Sequence, residues 1–183
     1  LPFEFDITDF AVIGENTVKI VARDPLCTDL PYGKQTKKRG GMWYTKISGI
    51  WQTVWVESVC DNAIKNIKLT SDLYGVDIYV EGGIHEKLLR FCGNEYSFSG
   101  SEFRLDIDDP HLWSPEDPYL YEFEIVSGKD TVRSYFGLRT VEIKEIDGIP
   151  LICLNGKPIF FHGLLDQGYF SDGIFLPASS RGY

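Results

Sequence analysis

Tyr121-Glu122-Phe123-Glu124-Ile125 decides the fold class, because large apolar residues alternate there with glutamates. Successive side chains of an extended strand point to opposite faces. This period of two therefore places Tyr121, Phe123 and Ile125 on a buried face and both carboxylates in water. The pattern recurs in both directions along the chain. Val76, Ile78 and Val80 alternate with Asp77, Tyr79 and Glu81, and Phe103, Leu105 and Ile107 with Arg104, Asp106 and Asp108. Val141 and Ile143 alternate with Glu142 and Lys144, and Val18, Ile20 and Ala22 with Lys19 and Val21. Gly82-Gly83, Gly93-Asn94, Ser127-Gly128 and Asn155-Gly156 punctuate the runs. The last is a hairpin signal, since both residues tolerate positive φ. Helical spacing is confined to Ile84, Leu88 and Phe91, too short a stretch to establish a helix. Short strands without helices imply an all-β sandwich or barrel.

Composition narrows the functional classes. The 183 residues suffice for one large domain or two small ones, and 43% hydrophobic content suffices for a core. The 14% aromatic content suits both sheet cores and sugar-stacking surfaces. A net charge of -9 argues against a nucleic-acid partner, which needs a basic footprint, and is compatible with neutral sugars. No apolar run reaches the roughly 18 residues of a membrane span, so no membrane partner is expected. Leu1 opens into strand-like sequence without a basic leader, and the missing initiator Met reads as a start inside a longer protein. Cys27, Cys60, Cys92 and Cys153 contain no C-x-x-C pair. They are expected to be buried free thiols, with one disulfide left open for an exported or periplasmic parent; no metal or other cofactor is expected.

Few residues suggest chemistry. Lys34, Lys37, Lys38 and Arg39 lack the G-x-x-x-x-G-K-[ST] pattern of a phosphate loop and read as a solvated surface. Trp43, Tyr44, Trp51 and Trp55 could form a sugar platform, but Trp51 and Trp55 share one strand face, and packing in a core or at a domain interface is the expected role. Pro110, Pro115 and Pro118 punctuate the stretch before Tyr121 and imply an irregular approach to that strand, with Trp113 plugging one end of the sandwich. His85, His111 and His162 are isolated and expected to be structural. Acidic residues are abundant, but they fall on the polar faces of strands, and no pair stands out as the two carboxylates that glycosidic hydrolysis needs.

Three longer stretches carry a family resemblance. The first is Gly41-Met42-Trp43-Tyr44-Thr45-Lys46-Ile47-Ser48-Gly49-Ile50-Trp51-Gln52-Thr53-Val54-Trp55-Val56-Glu57. The second is Leu112-Trp113-Ser114-Pro115-Glu116-Asp117-Pro118-Tyr119-Leu120-Tyr121 with Phe136-Gly137-Leu138-Arg139. The third is Leu154-Asn155-Gly156-Lys157-Pro158-Ile159-Phe160-Phe161-His162-Gly163. In this order they resemble glycoside hydrolase family 2, the β-galactosidases and β-glucuronidases.

The resemblance implies a plan of three parts. Residues 1–58 are the C-terminal part of a sugar-binding jelly roll, 59–144 an immunoglobulin-like β-sandwich, and 145–183 the start of a catalytic (β/α)8 barrel. It also implies that both catalytic glutamates lie on later barrel strands, so this chain supplies no catalytic residue. The parent's reaction would be hydrolysis of a terminal β-glycosidic bond by a retaining two-carboxylate mechanism, with a carbohydrate substrate as partner. Asp166 and Gln167 would end the first barrel strand, where barrel active sites gather, and are the candidate substrate-binding residues. Many β-galactosidases carry Gly-Val-Asn and then His-Glu at this point; here the segment reads Gly163-Leu164-Leu165-Asp166-Gln167-Gly168-Tyr169, which leaves the sugar open. A stand-alone carbohydrate-binding module and an immunoglobulin-like adhesion domain are the alternatives. An incomplete jelly roll would leave open sheet edges, and self-association through them is expected.

Overall fold

The structure, a computed structural model, describes residues 3–27, 29, 33–38, 40–44, 46, 48–50, 53–165, 170, 177, 179 and 181. The chain divides into two units, one of residues 1–55 with 168–183 and one of Val56–Gln167.

In the first unit the described residues form no strand; Gln35 and Tyr44 make an isolated parallel bridge, supported by the Tyr44 N–H donating to the Lys34 carbonyl (2.9 Å). The expected strand at Val18–Ala22 is absent. Val18, Ile20 and Val21 are exposed, because alternation fixes a strand only where a laddered partner and a second layer cover its apolar face. Local order comes from short side-chain loops instead. Asn16 Oδ1 accepts from the Val12 N–H (2.9 Å) while its Nδ2 donates to the Val12 carbonyl (2.8 Å).

The described residues of the second unit form ten strands: β1 (Ile64–Ser71), β2 (Gly75–Gly82), β3 (Glu86–Phe91), β4 (Asn94–Ser99), β5 (Glu102–Asp106), β6 (Tyr121–Ser127), β7 (Asp130–Phe136), β8 (Val141–Ile146), β9 (Ile149–Leu154) and β10 (Lys157–Pro158). They form three antiparallel sheets of order β1-β2-β5, β4-β3-β6-β7 and β10-β9-β8. The first two share one core. Val76, Ile78 and Val80 of β2 and Leu105 of β5 cluster with Leu89 and Phe91 of β3, Phe98 of β4, Tyr121, Phe123 and Ile125 of β6, and Phe136 of β7. The alternation at 76–80 and 121–125 is thus the core face, as the sequence predicts. Burying one such side chain stabilises by about 1.5–3 kcal/mol, which is why β2 and β6 are the central strands of their sheets.

β3 departs from its sequence reading. Its inward face carries Lys87, Leu89 and Phe91, so a lysine occupies a core position. The ammonium donates to the Ile84 carbonyl (2.6 Å) and the Gly100 carbonyl (2.8 Å), tying the β2–β3 loop to the β4–β5 loop. Charge-assisted bonds to carbonyls offset the cost of removing the cation from water.

The third sheet is two hairpins in series. Asp147 (φ 53°) and Gly148 (φ 77°) join β8 to β9, and Asn155 (φ 50°) and Gly156 (φ 77°) join β9 to β10, the positive-φ pairs that two-residue hairpins need. Val141 and Ile143 of β8 alternate as expected yet stand 66% and 74% exposed, so the periodic face is formed but uncovered. Phe160 and Phe161, which follow β10, are also exposed. All four cysteines are free, but only Cys153 is buried, while Cys60 and Cys92 are exposed, Cys92 because it turns the β3–β4 hairpin at φ 48°.

Candidate functional site

The residues of the second resemblance stretch and of the third converge at one end of the second unit. The Pro-rich segment 110–120 reaches β6 without a ladder of its own, so side chains satisfy its backbone. Tyr121 Oη accepts from the His111 N–H (2.7 Å), and Ser114 Oγ accepts from the Asp117 N–H (3.1 Å). His111 stacks on Tyr119 with ring centroids 4.1 Å apart, and its Nε2 lies 2.6 Å from Asp117 Oδ2. Trp113 is held by its N–H to the Leu138 carbonyl (2.9 Å), and Arg139 lies over its ring at 4.5 Å. Gly137 makes this approach possible: a Cβ there would stand 3.3 Å from Trp113 Cβ and Cδ1.

Asn155 links this cluster to the third sheet. Its Nδ2 donates to the Trp113 carbonyl (3.0 Å), its Oδ1 accepts from the Thr140 N–H (3.1 Å), and its own N–H donates to the Thr140 carbonyl (2.9 Å). The hydrogen bonds of the cluster thus hold chain segments together. Ser114 Oγ is bonded to a backbone amide and His111 to Asp117, an arrangement that braces a loop. The sequence marks this loop by its prolines, and the family resemblance marks Arg139 and Asn155 as well, but that their side chains meet Trp113 is set by the topology.

The densest carboxylate cluster lies elsewhere, on the β1-β2-β5 sheet. Asp72, Asp77 and Asp106 surround Arg104 at 2.8, 3.3 and 2.9 Å. Asp72 also caps the β1–β2 turn, accepting from the Tyr74 N–H (2.7 Å) and the Gly75 N–H (2.9 Å). The Tyr74 N–H first, and then Arg104 against the cost of partial burial, hold the Asp72 carboxyl below its ordinary value of 3.8. A glycosidase's general acid needs the opposite shift. Since the folded-state value is depressed, the stabilisation from Asp72 is present above pH 3.8 and is lost as pH falls through the lower folded value. Asp72→Asn is therefore expected to lower the melting temperature at pH 7, and the gap to the parent chain should close below pH 3.8, as followed by thermal melts across pH.

The remaining candidates sort as follows. Asp166 and Gln167 lie outside the described residues, as do Trp51 and Arg39. Trp43 is 51% exposed and Trp55 68%, so neither joins a core of the described residues, the first of the two roles expected for them; no sheet forms in the described part of their unit to cover them. Lys34, Lys37 and Lys38 carry no resolved salt bridge among those of the described residues. His85 is near Glu86 at 3.8 Å, and His162 lies beside Phe160. Among the described residues no group of three His, Cys, Asp or Glu side chains could hold a metal ion, and no helix is long and apolar enough to cross a membrane.

Comparison with known proteins places these features. Residues 50–139, which contain β1 to β7 and the Trp113 cluster up to Arg139, match the family model for glycosyl hydrolases family 2. The chain is 27% identical to a β-galactosidase of Staphylococcus xylosus, over 87% of this chain and 16% of that protein. It is 28% identical to a β-glucuronidase of Paenibacillus borealis, over 89% of this chain and 32% of that protein. Among solved structures, a Faecalibacterium prausnitzii β-glucuronidase is similar at 27% identity with a TM-score of 0.48, covering 56% of this chain and 18% of that one. The chain thus spans from 16% to 32% of the length of these curated relatives. The match falls on the strands that build the core and on the loop that Trp113 anchors, and over these residues the chain resembles the glycosyl hydrolases of family 2.

Proposed function

We propose that this chain is a non-catalytic portion of a glycoside hydrolase that cleaves terminal β-glycosidic bonds, and that it acts as a scaffold. The observation that carries the reading is the family match over residues 50–139, seated on strands whose polar clusters brace loops and ion-pair with arginine. In finer detail, residues 59–144 form an immunoglobulin-like sandwich, supported by the β1-β2-β5 and β4-β3-β6-β7 sheets sharing one core. Residues 1–58 are the end of a sugar-binding jelly roll, and 145–183 begin the barrel domain. Asp166 and Gln167 then contact the carbohydrate substrate in the intact enzyme. The Asn155 link fixes the hairpin that leads toward the barrel onto the sandwich.

The test is an assay of the purified chain with nitrophenyl β-galactoside and β-glucuronide. No turnover is expected, and measurable hydrolysis that survives repurification would refute the scaffold reading. The exposure of Trp43 and Trp55 favours a second reading as a carbohydrate-binding module, since an exposed indole can stack on a sugar ring. Glycan-array binding that disappears in Trp43→Ala would select it over the scaffold.

A further inference from the structure

We propose that the chain forms a two-fold symmetric dimer by antiparallel pairing of β8 with β8 of a second copy. β8 is the edge of the β10-β9-β8 sheet, and Val141 through Glu145 are all exposed. Its backbone is polarised by residue parity. The Thr140 carbonyl accepts from Asn155, and the Asp147-Gly148 hairpin closes on the Ile146–Ile149 pair. Residues 142, 144 and 146 therefore bond inward to β9, and Val141, Ile143 and Glu145 present outward N–H and C=O groups that no backbone group pairs with among the described residues.

A second β8 can use those groups only in registers that oppose odd residues to odd residues. Three such registers centre near the middle of the strand. One opposes Glu142 to Glu142 of the second copy, and another opposes Lys144 to Lys144; both place like charges face to face. The third puts Ile143 on the two-fold axis and opposes Glu142 to Lys144 on each side. These are non-hydrogen-bonded positions, where side chains come closest. Glu142 and Lys144 already lie 3.0 Å apart within one strand, so the dimer exchanges partners without creating an unpaired charge.

The same register aligns a hydrophobic row. Ile143 stands opposite Ile152 of β9, and both are exposed at 74% and 40%. Pairing across the axis runs Ile152, Ile143, Ile143 and Ile152 side by side through one continuous six-stranded sheet. Charges on edge strands usually discourage pairing. Here their order, Val-Glu-Ile-Lys-Glu-Ile, is self-complementary in a single register. An isologous contact of this kind closes at two copies and does not propagate along the paired edge.

A six-residue edge buries less than the about 1,200–2,000 Å² of a stable interface, so the dimer is reversible. Its exposed ion pairs are screened by salt. In sedimentation velocity the weight-average mass is expected to rise from 20.8 kDa toward twice that value with concentration, less steeply at high salt. Lys144→Glu should abolish the rise, and Glu142→Lys with Lys144→Glu together should restore it. Far-ultraviolet circular dichroism checks that each variant is folded. A concentration-independent monomer overturns the proposal. So does a dimer that persists in Lys144→Glu, which would be built on another surface or on residues 1–58, and so does failure of the double exchange to restore association.

Discussion

Phe136→Ala is expected to destabilise the second unit by about 3–5 kcal/mol. Phe136 is 4% exposed at the end of β7, and its ring is the hub of the aromatic core. It lies 6.0 Å from Phe91, stacks on Tyr121 at 5.3 Å, and meets Phe123 at 5.9 Å. Truncation removes apolar area and strands these rings around a void that the sheet cannot collapse, because the backbones of Phe91 and Phe123 are fixed by ladders on both sides. Tyr121 loses the ring that positions its hydroxyl on the His111 N–H, so the Pro-rich loop loosens as well. A domain's total stability is about 5–15 kcal/mol, so the variant is expected to unfold partly at physiological temperature. Urea denaturation read by tryptophan fluorescence should show a lower midpoint with an unchanged slope. A midpoint within experimental scatter of the parent's would show that this end of the core is not cooperative with the rest.

Gly75→Ala is the second large effect, with a different physical origin. Gly75 opens β2 opposite Asp106 of β5. A Cβ there would stand 2.3 Å from the Leu105 carbonyl oxygen, 2.9 Å from Arg104 Nη2 and 3.1 Å from Asp106 Cα. The carbonyl belongs to the neighbouring strand and cannot rotate away. Gly75 cannot retreat either, since its N–H donates to Asp72 and its carbonyl accepts from the Asp72 N–H. Relief requires β2 and β5 to part at this end, which undoes the Arg104 ion pairs. A cost of about 3 kcal/mol is expected, at the upper end for overpacking. Gly93 is the control: at φ 79° its added Cβ meets nothing within 4 Å, so alanine there costs only about 1–2 kcal/mol of conformational strain. Equal losses at the two positions would refute the steric account.

The parts of the fold that were legible in the sequence are those where one physical cause acts alone. Val76-Ile78-Val80 and Tyr121-Phe123-Ile125 lie on central strands, and burial of one face wrote the alternation directly. β3 was obscured because Lys87 takes an inward position, its charge satisfied by the carbonyls of two loops that no local pattern reveals. Val18–Ala22 and Val141–Ile143 show the reverse failure. Their alternation is genuine, but among the described residues no second layer covers it, so one segment is no strand and the other a strand with a bare face. The Trp113 loop was recognisable from its prolines. That Arg139 and Asn155 meet it was not, since the contact that joins them to Trp113 depends on β7 and β9 returning to the same end of the unit.

The ladder arrangement also dictates the order in which the second unit can assemble. β1–β2, β3–β4, β6–β7 and β8–β9 are hairpins whose partners meet as soon as a short turn closes. Only β2–β5 and β3–β6 join distant stretches, Gly75 with Asp106 and Leu88 with Val126. Closing such loops loses chain entropy before any contact is gained. Loop closure thus favours the hairpins as the early pieces, with the pairings of β5 onto β2 and of β6 onto β3, which complete the two sheets, coming later.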